Sequence, residues 1–243
     1  MRKYLLFLFF CFFIISCSHA KREIIKVGVD LKWTNFPITS EEKSCLNGFV
    51  DDLLLNIADI TNVEVEKFAV VYDELVYGLN AKKFDFIISF DRPYNFNLDK
   101  YVFSSILFHP GMVLLVMNNT SYKSLKDFSD KIILYPESNG AILLLQNYSG
   151  IIMRPYSSAS GAIHAMVEGG ADGVLVQHLM ALSFMNNLYV GQLKLIGPLE
   201  EEEGMRMVAL KERGDLMEKL NKAIKLLERK DVLMKLKSKW HLY

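Results

Sequence analysis

The chain has 243 residues, 51% of them hydrophobic, and its 28 basic residues cancel 28 acidic ones. That length fits one large domain or two small lobes around a sizeable core. The charge balance excludes a generally basic nucleic-acid binder and a highly charged disordered chain, and 23% charged residues with only 6 Pro exclude low complexity.

The first residues differ from the rest. Arg2 and Lys3 precede an unbroken apolar run over 4–15, rich in Phe. A dozen apolar residues fall short of the roughly 20 that a helix needs to cross a bilayer. A basic start, a short apolar stretch and small residues after it describe a secretory signal peptide over 1–16, with an uncleaved anchor as the alternative. Ile14-Ile15-Ser16-Cys17 resembles the bacterial lipobox, which implies a lipid thioether on Cys17 and a short tether over 17–23. Ser18-His19-Ala20 offers a competing site for ordinary signal peptidase, so a lipoprotein and a freely soluble product both remain open. Cleavage before Cys17 removes two of the 28 basic residues, leaving 26 against 28 acidic and a formal charge of −2.

Of three Cys, Cys11 lies in the signal and Cys17 at its end, so Cys45 stands alone in the body and has no internal disulfide partner. It falls in a polar stretch over 41–47 that reads as a loop, which argues against a nucleophile.

The body alternates β-like and helical stretches. Strands are expected over 24–29, 65–71, 84–89, 132–135 and 173–177. The 84–89 run reads as an apolar strand of the kind buried on both faces. Helices are expected over 49–60, 74–79, 140–146, 159–168 and 178–186, and over 216–227, followed by a short helix ending near Trp240. Such alternation predicts an α/β protein with mostly parallel sheets.

Six segments then resemble, in order and spacing, the periplasmic solute-binding proteins that feed polar amino acids to ABC transporters. Val27-Gly28-Val29-Asp30 resembles the opening strand, with Trp33 where an aromatic often covers the ligand. Gly48-Phe49-Val50-Asp51-Asp52-Leu53 resembles the G-F-x-x-D-L start of the first helix. Tyr72-Asp73-Glu74-Leu75 with Leu79, then Lys83-Phe84-Asp85-Phe86-Ile87-Ile88-Ser89, follow the W-D-x-L-x-x-x-L and G-K-x-D-x-I-I-S patterns. Glu168-Gly169-Gly170-Ala171-Asp172-Gly173-Val174 resembles G-x-x-D-A-V, and Lys239-Trp240 the terminal K-W.

The resemblance implies an α/β, two-lobed periplasmic-binding-protein type 2 fold with the ligand cleft between the lobes. Lobe 1 would be 24–113 plus 205–243, lobe 2 the insert 114–204, with crossings near 109–116 and 203–208. Ligand would bridge both lobes and favour the closed state, the form a transporter reads.

The cleft departs from the family. The Arg that holds the ligand's α-carboxylate falls at Asn97 here, the preceding Thr at Tyr94, and the Asp that pairs with the ammonium at Gln177. Losing one desolvated charge pair costs about 2–5 kcal/mol, so a typical free amino acid is expected to bind weakly. Arg92 stands where the family often has a ligand-contacting Ser or Thr. It offers a two-pronged grip on a carboxylate, against pairing with Asp91 or staying solvated. Phe90 would narrow the pocket or pack into the hinge, beside Ser89. Asp30 is a candidate ammonium partner or a structural loop residue. Ser138 and Asn139, before a helix, would contact ligand from lobe 2 or cap that helix; Glu137 replaces the family's Gly.

No metal or cofactor is expected, because His109, His164, His178 and His241 are dispersed and neither HExxH nor paired CxxC occurs. Glu200-Glu201-Glu202-Glu203 reads as a solvated loop. The reading is a non-catalytic, monomeric solute-binding component of an ABC importer in the periplasm. Its partners are a small polar ligand (an amino acid, peptide or related metabolite), an inner-membrane permease, membrane lipid through Cys17, and no nucleic acid. A dehydratase-like enzyme, with Asp30 and Glu137 as its acid–base candidates, and a sensing or structural lipoprotein are the alternatives.

Overall fold

The computed structural model describes residues 22–33, 39–137, 141–197, 199 and 204–242. Cys17, Ser138, Asn139 and the Glu200–Glu203 run lie outside them, so the expectations placed on those residues have no structural counterpart.

The chain forms two five-stranded sheets. The first contains β1 (Glu23–Asp30), β2 (Val63–Val70), β3 (Phe86–Ser89), β4 (Tyr101–Phe103) and β10 (Arg206–Leu210), in the order β2-β1-β3-β10-β4. The second contains β5 (Met112–Met117), β6 (Ile132–Pro136), β7 (Ile152–Tyr156), β8 (Gly173–Gln177) and β9 (Leu193–Ile196), in the order β7-β6-β8-β5-β9. Pairings among β1, β2, β3 and among β6, β7, β8 are parallel, whereas those of β10 and β5 are antiparallel. The expectation of mostly parallel sheets is therefore corrected: each sheet is mixed, because its fourth strand is the one by which the chain arrives from the other sheet.

Strand β3 is buried at all four positions, as its Phe86-Ile87-Ile88 run requires, with helices on both faces. On one face α1 (Ser40–Thr61), α6 (Gly214–Arg229) and α7 (Val232–Lys239) close over Ile25, Val27, Ile88 and Met207. On the other, α2 (Tyr72–Asn80) places Leu75 and Leu79 against Ile87 and Val208. Helix α6 owes this placement to a clean apolar stripe: Leu216, Leu220, Ala223, Ile224 and Leu227 are all buried. The second sheet is covered likewise. Leu145 of α3 (Ala141–Gln146), with Phe128, lies on one side. Helices α4 (Ala159–Val167) and α5 (His178–Asn187) lie on the other.

Helix α1 begins nine residues earlier than its apolar spacing suggests. Thr39 and Glu42 form a reciprocal capping box: the Glu42 amide donates to Thr39 Oγ1 (3.2 Å) and the Thr39 amide to Glu42 Oε2 (2.6 Å). Such a cap contributes about 1 kcal/mol and draws the polar 41–47 stretch into the helix. Cys45 is thus helical, half-buried against the first lobe's core, and not in a loop.

Several segments that carry the family resemblance act as fasteners. Asp52 accepts from Lys239 Nζ (2.6 Å) and Trp240 Nε1 (2.7 Å), tying α1 to the end of α7. Gly48 makes room for that indole, since a Cβ there would sit 2.2 Å from the ring. Asp85 accepts from the Lys26 amide (2.8 Å) and pairs with Arg213 (2.8 Å). Asp172 accepts from the Ile132 amide (2.9 Å) and Tyr122 Oη (3.2 Å).

Candidate functional site: the inter-sheet cleft

Chain topology sets the carboxyl edges of the two sheets facing each other. After Phe103 the chain leaves the first sheet and enters the second at Met112, whose register partner is Gln177 at the end of β8. It returns to Arg206, whose partner is Ser89 at the end of β3. Between them the crossing segments bond to each other, the Met205 amide donating to Phe108 O (2.7 Å) and the Leu107 amide to Met205 O (2.8 Å). Both crossings therefore adjoin carboxyl strand ends, where open α/β sheets bind ligands.

Asp30 ends β1, is 4% exposed, and accepts from the Lys32 amide through Oδ1 (2.9 Å). Trp33, expected over the ligand, is 1% exposed. Its backbone is left-handed (φ 51°), its Nε1 donates to Asn47 Oδ1 (3.0 Å), and Phe90 meets it edge-on with ring centres 5.5 Å apart. Trp33 belongs to the first lobe's core and the partly buried Phe90 packs against it.

Ser89 is buried and donates to Asp91 Oδ2 (2.7 Å), while Tyr72 Oη donates to Asp91 Oδ1. Asp91 is thereby held as an acceptor of two hydroxyls. Arg92 lies half-buried with its guanidinium 5.8 Å from the centre of the Tyr94 ring, a cation–π contact. Tyr94 in turn stacks on the exposed Phe96, centres 5.3 Å apart and planes 12° apart. Asn97, at the family's Arg position, shapes this loop: its Nδ2 donates to Arg92 O and its Oδ1 accepts from the Tyr94 amide, both at 2.9 Å. From the second sheet come the half-buried Gln177 and the exposed Glu137.

Two features escaped sequence reading. Arg206 is a buried cation, 7% exposed, beside Ser89; its strand is too short and apolar to announce a site. His178, first residue of α5, is anchored at the crossing: its amide donates to Gly111 O (3.0 Å) and Nδ1–H to His109 O (2.6 Å), and its ring stacks on Phe108 at 5.2 Å. Burial pushes its pKa below the ordinary 6.5, against the raising effect of the His109 carbonyl bond, so it stays neutral at pH 7. Among the described residues no cluster of three or more His, Cys, Asp or Glu is placed to hold a metal ion, and no helix is long and apolar enough to cross a membrane.

Two mixed sheets, joined by two crossings and opposed at their carboxyl edges, define a two-lobed binding protein of the periplasmic type. Residues 25–243 match the bacterial extracellular solute-binding proteins, family 3, and the chain belongs to that family. It is 22% identical over 235 residues to the L-cystine-binding protein TcyA of Bacillus subtilis, covering 92% of this chain and 83% of the relative. To the arginine-binding extracellular protein ArtP of the same organism it is 23% identical, over 93% of this chain and 88% of the relative. In fold it is similar to the unliganded, open L-cystine solute receptor of Neisseria gonorrhoeae (TM-score 0.69, 17% identity, 90% and 93% of the two chains). A substrate-binding domain of a putative amino acid ABC transporter from Streptococcus pneumoniae is likewise similar (TM-score 0.66, 16% identity, 90% and 100% covered).

Proposed function

We propose that the chain is the extracytoplasmic receptor of an ABC importer and that hinge closure traps a small polar ligand: an amino acid, a peptide or a related metabolite. Membership of a solute-binding family carries this reading, and the relatives that bind L-cystine and arginine point to an amino-acid-like ligand. Lobe 1 (24–113 and 205–243) would contribute Asp30, Ser89, Phe90 and Arg92, with Trp33 bracing Phe90 from below. Lobe 2 (114–204) would contribute Ser138, Asn139 and Gln177. Arg92 takes over carboxylate binding from the absent Arg at position 97: its planar fork matches a carboxylate, and Asn97 and Tyr94 hold its loop. The permease reads the closed form. The mature protein is a monomer held to the membrane by lipid on Cys17.

A thermal-shift screen of the exported protein tests the binding reading, using L-cystine, L-arginine, the other amino acids, di- and tripeptides and organic acids. A midpoint that climbs with the concentration of one of them is expected; a flat response across the whole set overturns it. Intact-mass measurement of the exported protein is expected to show diacylglycerol on Cys17, and an unmodified start after Ala20 overturns the anchor.

A further inference from the structure

Helix α5 packs on the second sheet, yet its apolar side continues into the core of the first lobe. Leu179 (6% exposed) and Leu182 (2% exposed) are buried in the same cluster as Leu46, Phe49 and Leu242. The contact is a seam with a cavity of about 80 Å³ in it, lined by Cys45 from α1, by Leu182 and Ser183 from α5, and by His241 and Leu242 from the carboxyl end. Leu107, Phe108 and Met205 of the crossings belong to the same cluster, so the seam adjoins the hinge.

The start of α5 makes this contact mechanical. His178 is pinned to the first crossing through Gly111 O and His109 O, so it sits at the pivot. Gln177 precedes it at the carboxyl edge of β8 and Leu182 follows four residues on, about 6 Å along the helix. We propose that a rotation about the crossings carrying Gln177 towards Ser89 swings the rest of α5 the other way, so that the seam is a latch opposing cleft closure. Leu179 and Leu182 must leave the first lobe's core before the lobes can close, and the apolar area buried there sets how far the unliganded protein rests open. The inference depends on the reading of the chain as a hinge-closing receptor, and its test uses no ligand.

Cys45 supplies a native reporter. It is the only cysteine after residue 17, and burial, followed by the charges of Glu41 and Glu42, raises its thiol pKa. Slow alkylation is therefore the mark of a closed seam. In the full chain carrying Cys11→Ser and Cys17→Ser, iodoacetamide labelling is followed by mass spectrometry alongside small-angle scattering. Leu182→Ala removes apolar contact, and Ser183→Trp drives a wedge into the cavity. Both are expected to raise Cys45 labelling fivefold or more and to shrink the radius of gyration as the lobes close. Unchanged labelling in both variants, with native circular dichroism, overturns the latch. Faster labelling without compaction also overturns it, since α5 would then be fraying locally. A failed ligand screen leaves these outcomes untouched, and a failed latch leaves the binding reading untouched.

Discussion

Asp52 and Asp91 each accept two side-chain hydrogen bonds, but their donors come from very different distances along the chain. The donors to Asp52 are Lys239 and Trp240, 187 and 188 residues away, and the bonds staple the first long helix to the last one. Those to Asp91 are Ser89 and Tyr72, 2 and 19 residues away, and the bonds only shape the loop at the cleft edge. Acceptor and donors of the distant set all lie in segments that resemble the solute-binding family; in the local set the donors Tyr72 and Ser89 do so, but the acceptor Asp91 opens the loop that departs from it. The family-like motifs here fasten helices within the first lobe, and in the proposed function ligand choice falls to the loop that differs. Stability and binding should therefore respond separately to substitution.

The largest effect is expected from Gly48→Val. A Cβ at this position meets three carbons of the Trp240 ring at 2.2–2.5 Å, so the indole must leave Asp52. Overpacking of this kind costs about 2–3 kcal/mol, read as a lower denaturation midpoint, with affinity for any ligand found unchanged where the variant is folded. A loss of binding with unchanged stability would reverse the division.

Asp52→Ala should cost about 1–3 kcal/mol, because the half-buried indole N–H loses its acceptor. Its pH dependence has a definite sign. The hydrogen bonds from Lys239 and then Trp240 hold the Asp52 pKa below its ordinary 3.8. The native state thus binds its proton less readily than the unfolded chain, and the stabilisation is fully present above that ordinary value. It is lost as pH falls through the lower folded pKa. Urea melts of variant and wild type should therefore differ at pH 7 and converge in strong acid; a gap that persists there would show that the bonds to Asp52 do not carry it.

Arg92→Ala should leave the midpoint nearly unchanged and weaken ligand binding tenfold or more by calorimetry, equivalent to about 1.4 kcal/mol. Equal affinity would remove Arg92 from the site. The smallest effect belongs to Asn97→Ala, which deletes two loop hydrogen bonds at about 1 kcal/mol and should weaken binding only through Arg92. In the double variant with Arg92→Ala, no further loss of affinity is expected; an additive loss would give Asn97 a contact of its own.

How much could be read in advance differs by element. Strands β1, β3 and β8 and helices α5 and α6 declared themselves, because an apolar run or a 3.6-residue stripe is a local signal. The start of α1 was hidden because its capping residues, Thr39 and Glu42, are polar and break no periodicity. Strands β4, β7 and β9 lie at the sheet edges, where partial exposure leaves no continuous apolar run, and were not legible at all. Within the cleft, Asn97 and Gln177 stand out only because the family resemblance implies charged residues at those positions. The bonds Asn97 makes in place of that charge, the burial of Trp33 beneath Phe90, and Arg206 beside Ser89 were not legible.

The sequence by itself determined the alternation of elements, the family resemblance and the positions where the usual ligand partners are absent, since each is a property of order and spacing along one chain. Only the tertiary structure decided which carboxylate serves the fold and which the loop, which aromatic lines the core, and that α5 reaches across the hinge into the other lobe. Those outcomes depend on residues brought together from opposite ends of the chain. No local pattern encodes such a meeting, because it is settled by which apolar faces find each other once both sheets have formed.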